Sequence, residues 1–483
     1  MEKLASCKTN QKSKESLLIF FRECNIISIM ENNRSVRRYI VSESILRLNE
    51  AERVRVLDTL EYMTKHPETG YRETLCSAYM AEQFRALGYE PTMAGDIPGF
   101  FVKIDTGRPG PCVLVLGELD AVKCATHPDA DPKTGAVHAC GHNAQSAALV
   151  GIAAALKREG ALDALSGSIL LCSVPAEELI EIDYRDTLIQ KGTIKYYGGK
   201  AEFLRRGYFD GVDVAFMVHT SKTLGCNLGS VGIVAKRVIY KGRAAHAGGA
   251  PQQGINALYA ANLGLSAVNA IRETFTEDEL VRVHPIITNG GTVVNGIPDV
   301  VEIESYVRAK NYDAMKRSNK KVNRALVGAA LSIGANVEII DVPGYAPLKN
   351  DLNMISLAVR AAKAAYPEQT FITNGKYGTG STDMGEISLL FPSIHPYAPG
   401  ASGTAHGDDY TIASPELACV ACAEWQIEML RLLLENDASE AKRIKAAFVP
   451  QFESKEAYFE YIEAFYARGD RIAYDEDGAR VTL

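Results

Sequence analysis

No stretch of the chain carries the run of about 18 apolar residues that a membrane-spanning helix needs. A basic excess is missing too: 52 Lys plus Arg face 59 Asp plus Glu, a formal net charge of −7. A protein that neutralises phosphate backbone needs the opposite balance, so nucleic acid is excluded as a partner. There is no internal repeat and no low-complexity tract. The ten cysteines follow no small-scaffold spacing, which suits a reduced, cytoplasmic protein rather than a disulfide framework. A single C-x-x-C, Cys419 to Cys422, lies in an apolar helix-like run from Glu416 to Leu434. Two small core residues on one helix face account for it better than a redox or zinc site. No export signal is expected either. The apolar run Leu17 to Phe21 is broken by Arg22 and Glu23, short of the roughly 7–15 residues such a signal needs. Residues 1–40 read as an N-terminal arm, with Met30 as an alternative start.

What remains is an ordinary globular composition, 47% hydrophobic and 23% charged over 483 residues. That is enough for two or three domains and for a core that needs neither disulfide nor metal to fold. Helices are expected at Ser42–Lys65 and Tyr71–Leu87, separated by the breaker His66-Pro67-Glu68-Thr69-Gly70. Strand-like runs at 97–105, Pro111–Gly117, Ser168–Val174 and Val212–Val218 alternate with a helix at Ala144–Arg158. Such alternation indicates an α/β sheet, whose ligands sit beyond the carboxyl ends of the strands. From Gly229 to Tyr345 the order becomes β-α-β-β-α-β, that of a ferredoxin-like α+β insert. The domain reading is a discontinuous α/β unit, 41–228 and 346–436, an insert at 229–345, and a charged, aromatic-bearing tail at 437–483.

Polar residues cluster at the expected strand ends. His138-Ala139-Cys140-Gly141-His142-Asn143 offers a thiolate and an imidazole two residues apart, both usual zinc ligands. Alone, such a pair is more often incidental, and a Cys nucleophile with a His base is the other chemistry it allows. Pro175-Ala176-Glu177-Glu178 puts adjacent carboxylates after an apolar strand. They either start a helix, where anions are favoured, or divide the labour between metal ligand and general base. His219 ends another apolar run, and His406 lies in the Gly-rich loop Gly403–Asp408. Each feature is weak alone. Jointly, Cys140, His142, Glu178, His219 and His406 suffice for two metals that share a bridging ligand.

With these motifs the sequence resembles the dinuclear metal hydrolases related to aminoacylase, acetylornithine deacetylase and glutamate carboxypeptidase. Within them it looks like the amidohydrolase branch that holds aminobenzoyl-glutamate hydrolase, indole-acetyl-amino-acid hydrolases and a basic-residue dipeptidase. The matching segments, in order over roughly residues 45–435, begin with His66-Pro67-Glu68, Gly117–Ala121, the hexapeptide, Pro175–Glu178 and His219. They continue with Ala245-His246-Ala247, Gly290-Gly291, Asn295–Pro298, Arg308, Gly380–Asp383 and His406.

The resemblance implies a mixed-sheet metallopeptidase catalytic domain with helices on both faces, and an inserted lid and dimerisation domain. It implies two divalent ions per chain, Zn²⁺ first and Mn²⁺ second, with Cys140 bridging and His142, Glu178, His219 and His406 as the other ligands. Glu177 matches the general base and Asp120 an orienting carboxylate. His246 is expected to reach a homodimer partner's site, and Arg308 with Asn295 to hold a free carboxylate on a small-molecule substrate. The implied reaction is hydrolysis of an N-acyl amino acid or dipeptide. A non-catalytic metal-binding relative and a Cys140-nucleophile amidase are the alternatives. Glu118 stands where the commoner branch has a His, so its role is open. Leu179–Tyr184 departs from the branch's Gly-rich stretch and is expected to shape the substrate pocket. His138 is read as supporting or core, and His395 has no assigned role.

Overall fold

The computed structural model describes residues 47–483. The N-terminal arm, Met30 and the start of the helix expected from Ser42 lie outside them. Within them the first helix, α1 (Glu50–Lys65), begins only at Glu50. Asn49 caps it: its side chain accepts from Glu52 N at 3.1 Å, and the Glu52 carboxylate accepts from Asn49 N at 2.9 Å. This reciprocal pair satisfies two amide donors that a helix start otherwise leaves orphaned.

The central sheet is mixed. Its strands include β1 (Phe100–Asp105), β2 (Cys112–Glu118), β3 (Ser168–Val174) and β4 (Val214–Phe216). Their spatial order is β1-β3-β2-β4, with Thr92–Met93 beside β1 and Ser393–Ile394 beside β4. The β1–β3 pair is antiparallel, while β3–β2, β2–β4 and β4 with Ser393–Ile394 are parallel. Every residue of β2 and β3 is buried, as a parallel sheet covered on both faces requires. One cover comprises α1, α2 (Thr74–Ala86), α3 (His142–Leu156) and the helices Leu352–Ala365 and Ala421–Ala447. The other includes Gly199–Arg205 and Met384–Ser388. Cys419 and Cys422 are buried free thiols in this packing, as small core residues.

The apolar run expected as one strand at Val212–Val218 is shorter than its composition suggests. β4 stops at Phe216, and His219–Ser221 starts a strand of a different small sheet, parallel to Tyr397–Pro399. The chain is held through the break because Met217 N donates to Ile394 O and His219 N to Pro396 O.

The second large sheet holds β5 (Gly232–Lys241), β6 (Ile286–Asn289), β7 (Val300–Ala309) and β8 (Asn336–Pro343). Their order is β6-β7-β5-β8, and all neighbours are antiparallel. Helices α4 (Ala257–Ala270) and α5 (Tyr312–Ser332) follow β5 and β7 and pack with the sheet. The period of two sorts β7: Val301, Ile303, Ser305, Val307 and Ala309 are buried, while Glu302, Glu304, Tyr306 and Arg308 alternate with them on the opposite face. That opposite face packs against Leu179, Ile182 and Tyr197, and the Tyr306 hydroxyl donates to the Leu179 carbonyl. A further strand, β9 (Ala467–Asp470), pairs antiparallel with β8, so the C-terminal segment forms one edge of this six-stranded sheet, in which Arg282–Val283 also pairs with β7. The helix Lys455–Glu463 precedes it, and there Tyr458 is 1% exposed among Tyr312, Phe452 and Glu386. Tyr458→Ala should lower stability by roughly 3 kcal/mol, as deletion of a buried aromatic ring does. Chemical denaturation read by circular dichroism checks this, and a cost below about 1 kcal/mol would mean the segment is only loosely attached.

Candidate metal centre

The parallel strands deliver their carboxyl ends to one place. β2 ends at Glu118, with Asp120 just beyond; β3 leads into Pro175–Glu178; His219 and His395 follow β4 and Ser393–Ile394. Two backbone features aim the side chains. Gly141 caps α3 at φ +91°, and a Cβ there would lie 2.5 Å from the Tyr410 hydroxyl, so glycine alone lets Cys140 and His142 turn together. Ala176 sits at φ +58°, an uncommon conformation for a residue with a Cβ. Its amide donates to the buried Glu73 carboxylate at 2.7 Å, which holds the turn that presents Glu177 and Glu178.

Donor atoms of Cys140, His142 and His219 all lie within 4.8 Å of one another, as do those of Cys140, Glu178 and His406. Cys140 belongs to both sets. Its Sγ is 3.5 Å from His219 Nε2, and His406 Nε2 is 3.1 Å from Glu178 Oε1. The imidazoles are pre-set as ligands. His142 Nδ1–H donates to the Asp120 carbonyl at 2.9 Å with Asp120 Oδ1 at 3.2 Å, and His219 Nδ1–H donates to Thr220 O at 2.8 Å. Each Nε2 is therefore the nitrogen turned to the cluster, able to bind a cation in place of a proton, and that of His142, fully buried, has no hydrogen-bond partner. The other Asp120 oxygen accepts from Glu178 N at 2.7 Å, so one carboxylate orients both a His and a Glu of the cluster. Sulfur, imidazole nitrogens and a carboxylate in two overlapping triads fit a pair of metal ions.

The electrostatics agree with a site that concentrates negative charge. Burial and the neighbouring Glu118, Glu178 and Asp383 carboxylates raise the proton affinity of Glu177 well above the usual range, with His142 opposing. Burial also opposes ionisation of Glu178, but its pairing with His406 wins and holds it down to about 2. Burial and Glu178 push the Cys140 thiol up, yet the imidazoles of His219 and His142 bring it down to about 6.

Lys200 was not anticipated. Fully buried at the start of the Gly199–Arg205 helix, its ammonium binds both Glu118 and Asp383, and its amide donates to Asp383 Oδ2 at 2.9 Å. Glu118 also accepts from Gln145 Nε2 at 2.9 Å and lies 3.2 Å from His142 Nε2. Glu118 is thus an anchor tied to a buried cation. A lysine after Gly198-Gly199 gives no sign of burial by itself; the signal is Gly199, where a Cβ would lie 1.7 Å from Pro175 O.

A cavity of about 320 Å³ opens over the cluster, lined by Cys140, Glu177, Glu178, His219 and His406. Arg308 enters it from β7, with Nη1 3.4 Å from Ser381 Oγ. Leu179 lines it as well, while His138 borders a separate cavity of about 490 Å³ behind the hexapeptide. Asn295 and His246 are not buried and do not line this cavity of their own chain. They lie together: His246 bridges to Gly296, and Ala247 N donates to Asn295 O at 3.0 Å.

A sequence profile of peptidase family M20/M25/M40 matches residues 114–434. The chain belongs to this family. It is 32% identical to the Xaa-Arg dipeptidase of Mus musculus over 295 residues, 59% of this chain and 63% of that protein. It is 28% identical to a p-aminobenzoyl-glutamate hydrolase chain of Escherichia coli over 307 residues, 60% of this chain and 58% of that protein. The match therefore spans less than two thirds of the length of either relative. Among solved structures, a dinuclear metal binding peptidase of the M20 family from Bacillus subtilis superimposes with a TM-score of 0.58 at 20% identity. It covers 80% of this chain and 99% of its own, so the fold is shared across most of the described residues.

Lys200→Met should cost about 3–5 kcal/mol at pH 7, because it strands two buried carboxylates. Those carboxylates would then bind protons more tightly folded than unfolded, so the deficit should shrink as pH falls from about 8 to about 5. Urea unfolding across that range checks it; a pH-independent deficit would point to lost packing instead.

Proposed function

We propose that this chain is a dinuclear metal-dependent amidohydrolase that cleaves the amide bond of an N-acyl amino acid or a dipeptide. The observation that carries the reading is the pair of three-donor sets that share Cys140 beside the buried Glu177. In this reading Cys140, His142 and His219 would hold one ion, and Cys140, Glu178 and His406 the other. Zn²⁺ is the first choice because the set contains a thiolate and imidazoles, and Mn²⁺ the second.

Bound there, two such ions supply Lewis-acid polarisation of a carbonyl and make water a stronger acid. Glu177 takes the proton of the attacking water on its carboxylate and delivers it to the leaving nitrogen. Asp120 keeps His142 in the ligand tautomer and steadies the backbone of Glu178. Arg308 receives the substrate's free carboxylate as a two-pronged donor.

His246 is assigned to the site of a homodimer partner, where it meets the developing oxyanion, and Asn295, which lies beside His246 and away from Arg308's cavity, would reach the substrate carboxylate only from that partner. Exposed Tyr259, Leu263, Ile286 and Ile287 on α4 and β6 give such a dimer an apolar surface. Residues 229–345 act as lid and dimerisation unit in this reading, and 41–228 with 346–436 as the catalytic unit. A cytoplasmic setting is supported by the eight described cysteines, all free thiols.

Elemental analysis of metal-replete protein after mild dialysis should find two equivalents, and less than about one would count against the assignment. Chelator-resistant turnover would favour Cys140 as a nucleophile instead. Glu177→Gln should cut kcat by roughly 10²–10⁴ while keeping the metal; unchanged kcat would place the base elsewhere. A screen of N-acyl amino acids and dipeptides on the metal-loaded enzyme identifies the substrate. His246→Ala mixed with Glu177→Gln should regain activity, since about half of freely exchanging dimers carry one restored site. No recovery, with exchange shown independently, would confine His246 to its own chain.

A further inference from the structure

His395 is left without work by the ligand set and by the general base, yet its placement is unusual. It follows Ser393–Ile394, the parallel strand beside β4, at the same end of the sheet as the metal cluster. Its backbone is fixed: His395 N donates to Asn350 Oδ1 at 2.9 Å, and the next carbonyl, Pro396 O, accepts from His219 N at 2.9 Å. The ring is 3% exposed and lines the catalytic cavity. It packs edge-on against Tyr397 at 5.5 Å and lies 5.6 Å from the His219 ring, centroid to centroid. Neither ring nitrogen has a hydrogen-bond partner.

A buried polar atom without a partner is costly, and two on one ring require an explanation. Core packing alone does not explain it, because the residue, although almost wholly buried, also lines the cavity. Metal ligation does not either, since His395 belongs to none of the close donor sets. An imidazole carries at least one N–H donor whatever its charge, and that donor has no partner within the protein here. The cavity has two walls of different origin. Arg308 comes from the insert sheet, and His395 with Tyr397 from the central-sheet side. A substrate whose carboxylate meets Arg308 turns its other half toward His395.

We infer that His395 is a substrate-binding residue that reads a hydrogen-bonding group on the acyl side of the scissile amide. This rests on the amidohydrolase reading above. A site with buried donors and acceptors discriminates strongly against an analogue that leaves them unpaired, whereas an apolar pocket discriminates weakly. The enzyme should therefore favour acyl groups that carry an amine or hydroxyl next to the carbonyl over a plain alkyl acyl group of equal size.

The test uses acetyl, hydroxyacetyl and glycyl derivatives of the amino acid that the substrate screen selects. On metal-loaded full-length enzyme, the better polar acyl group should exceed acetyl by roughly 10–100-fold in kcat/KM. His395→Phe should collapse that ratio to within about twofold, chiefly by raising KM for the polar substrate. His395→Gln, which keeps a donor and an acceptor, should retain most of the ratio. In the Glu177→Gln background, titration calorimetry should show the same order in affinity without turnover. A wild-type enzyme without the preference, or His395→Phe with the preference intact, overturns the inference. So does a His395→Phe variant that loses metal and both substrates in proportion, which would make the ring a mere support of His219. A screen that finds no amide substrate at all would instead fail the amidohydrolase reading, so the two failures are distinct.

Discussion

Six buried carboxylates, Glu73, Glu118, Asp120, Glu177, Glu178 and Asp383, gather around the ends of β2 and β3, and their mutual repulsion governs this half of the molecule. Like charges in a low-dielectric interior are tolerated only when each finds a donor or a cation. The chain supplies these individually. Glu73 takes the amide of Ala176, Glu118 and Asp383 share the ammonium of Lys200, and Asp120 divides its oxygens between His142 and the amide of Glu178. Glu178 has His406, an imidazole held up to about 11 by Cys140 and by that contact. Glu177 alone of the six accepts no hydrogen bond from the described residues, with His142 Nε2 only at 4.0 Å. The one carboxylate left unanswered is the one best placed to exchange a proton.

Much of this was legible in the sequence because it is carried by strand ends. Buried parallel strands read as unbroken apolar runs, and a polar residue at the end of such a run has few bland explanations. Glu177, Glu178 and His219 stand out in that way, and the structure brings them together with Cys140 and His142 of the hexapeptide and His406 of the Gly-rich loop. The β-α-β-β-α-β order of the insert was legible for the same reason, since alternation along β7 and β5 fixes their faces. What escaped is information that lies between segments. The break after Phe216 depends on hydrogen bonds to residues 394 and 396, far along the chain. Lys200 looks like a surface lysine until Glu118 and Asp383 are seen on either side of it. The segment after 437 looks like a charged tail because only β8 reveals that 467–470 is a strand.

Local geometry also carries the coupling between the two sheets. On β7, residues two apart share a face, so Tyr306 and Arg308 are presented together. Tyr306 binds the Leu179 carbonyl, one residue beyond Glu178. The position of Arg308 in the cavity is thereby referenced to the same loop that carries the carboxylates. The distance from the guanidinium to the reacting centre is set by one strand's pleat and one hydroxyl contact, without any flexible connector.

The return of the C-terminal segment to β8 changes how the two sheets can move. An insert attached by two adjacent crossings has a hinge: it can swing about the line that joins them. Here the polypeptide crosses a third time. The helix Lys455–Glu463 stacks Phe459 on Tyr196 of the central-sheet side at 4.7 Å, and sets Tyr461 edge-on to Tyr312 of the insert at 5.2 Å. A third attachment away from the hinge line acts like a door stay. Any swing that parts the sheets must either peel this helix from Tyr196, Lys195, Asp210 and Glu386 or strip β9 from β8, so the helix's aromatic and ionic contacts together limit the aperture over the cavity.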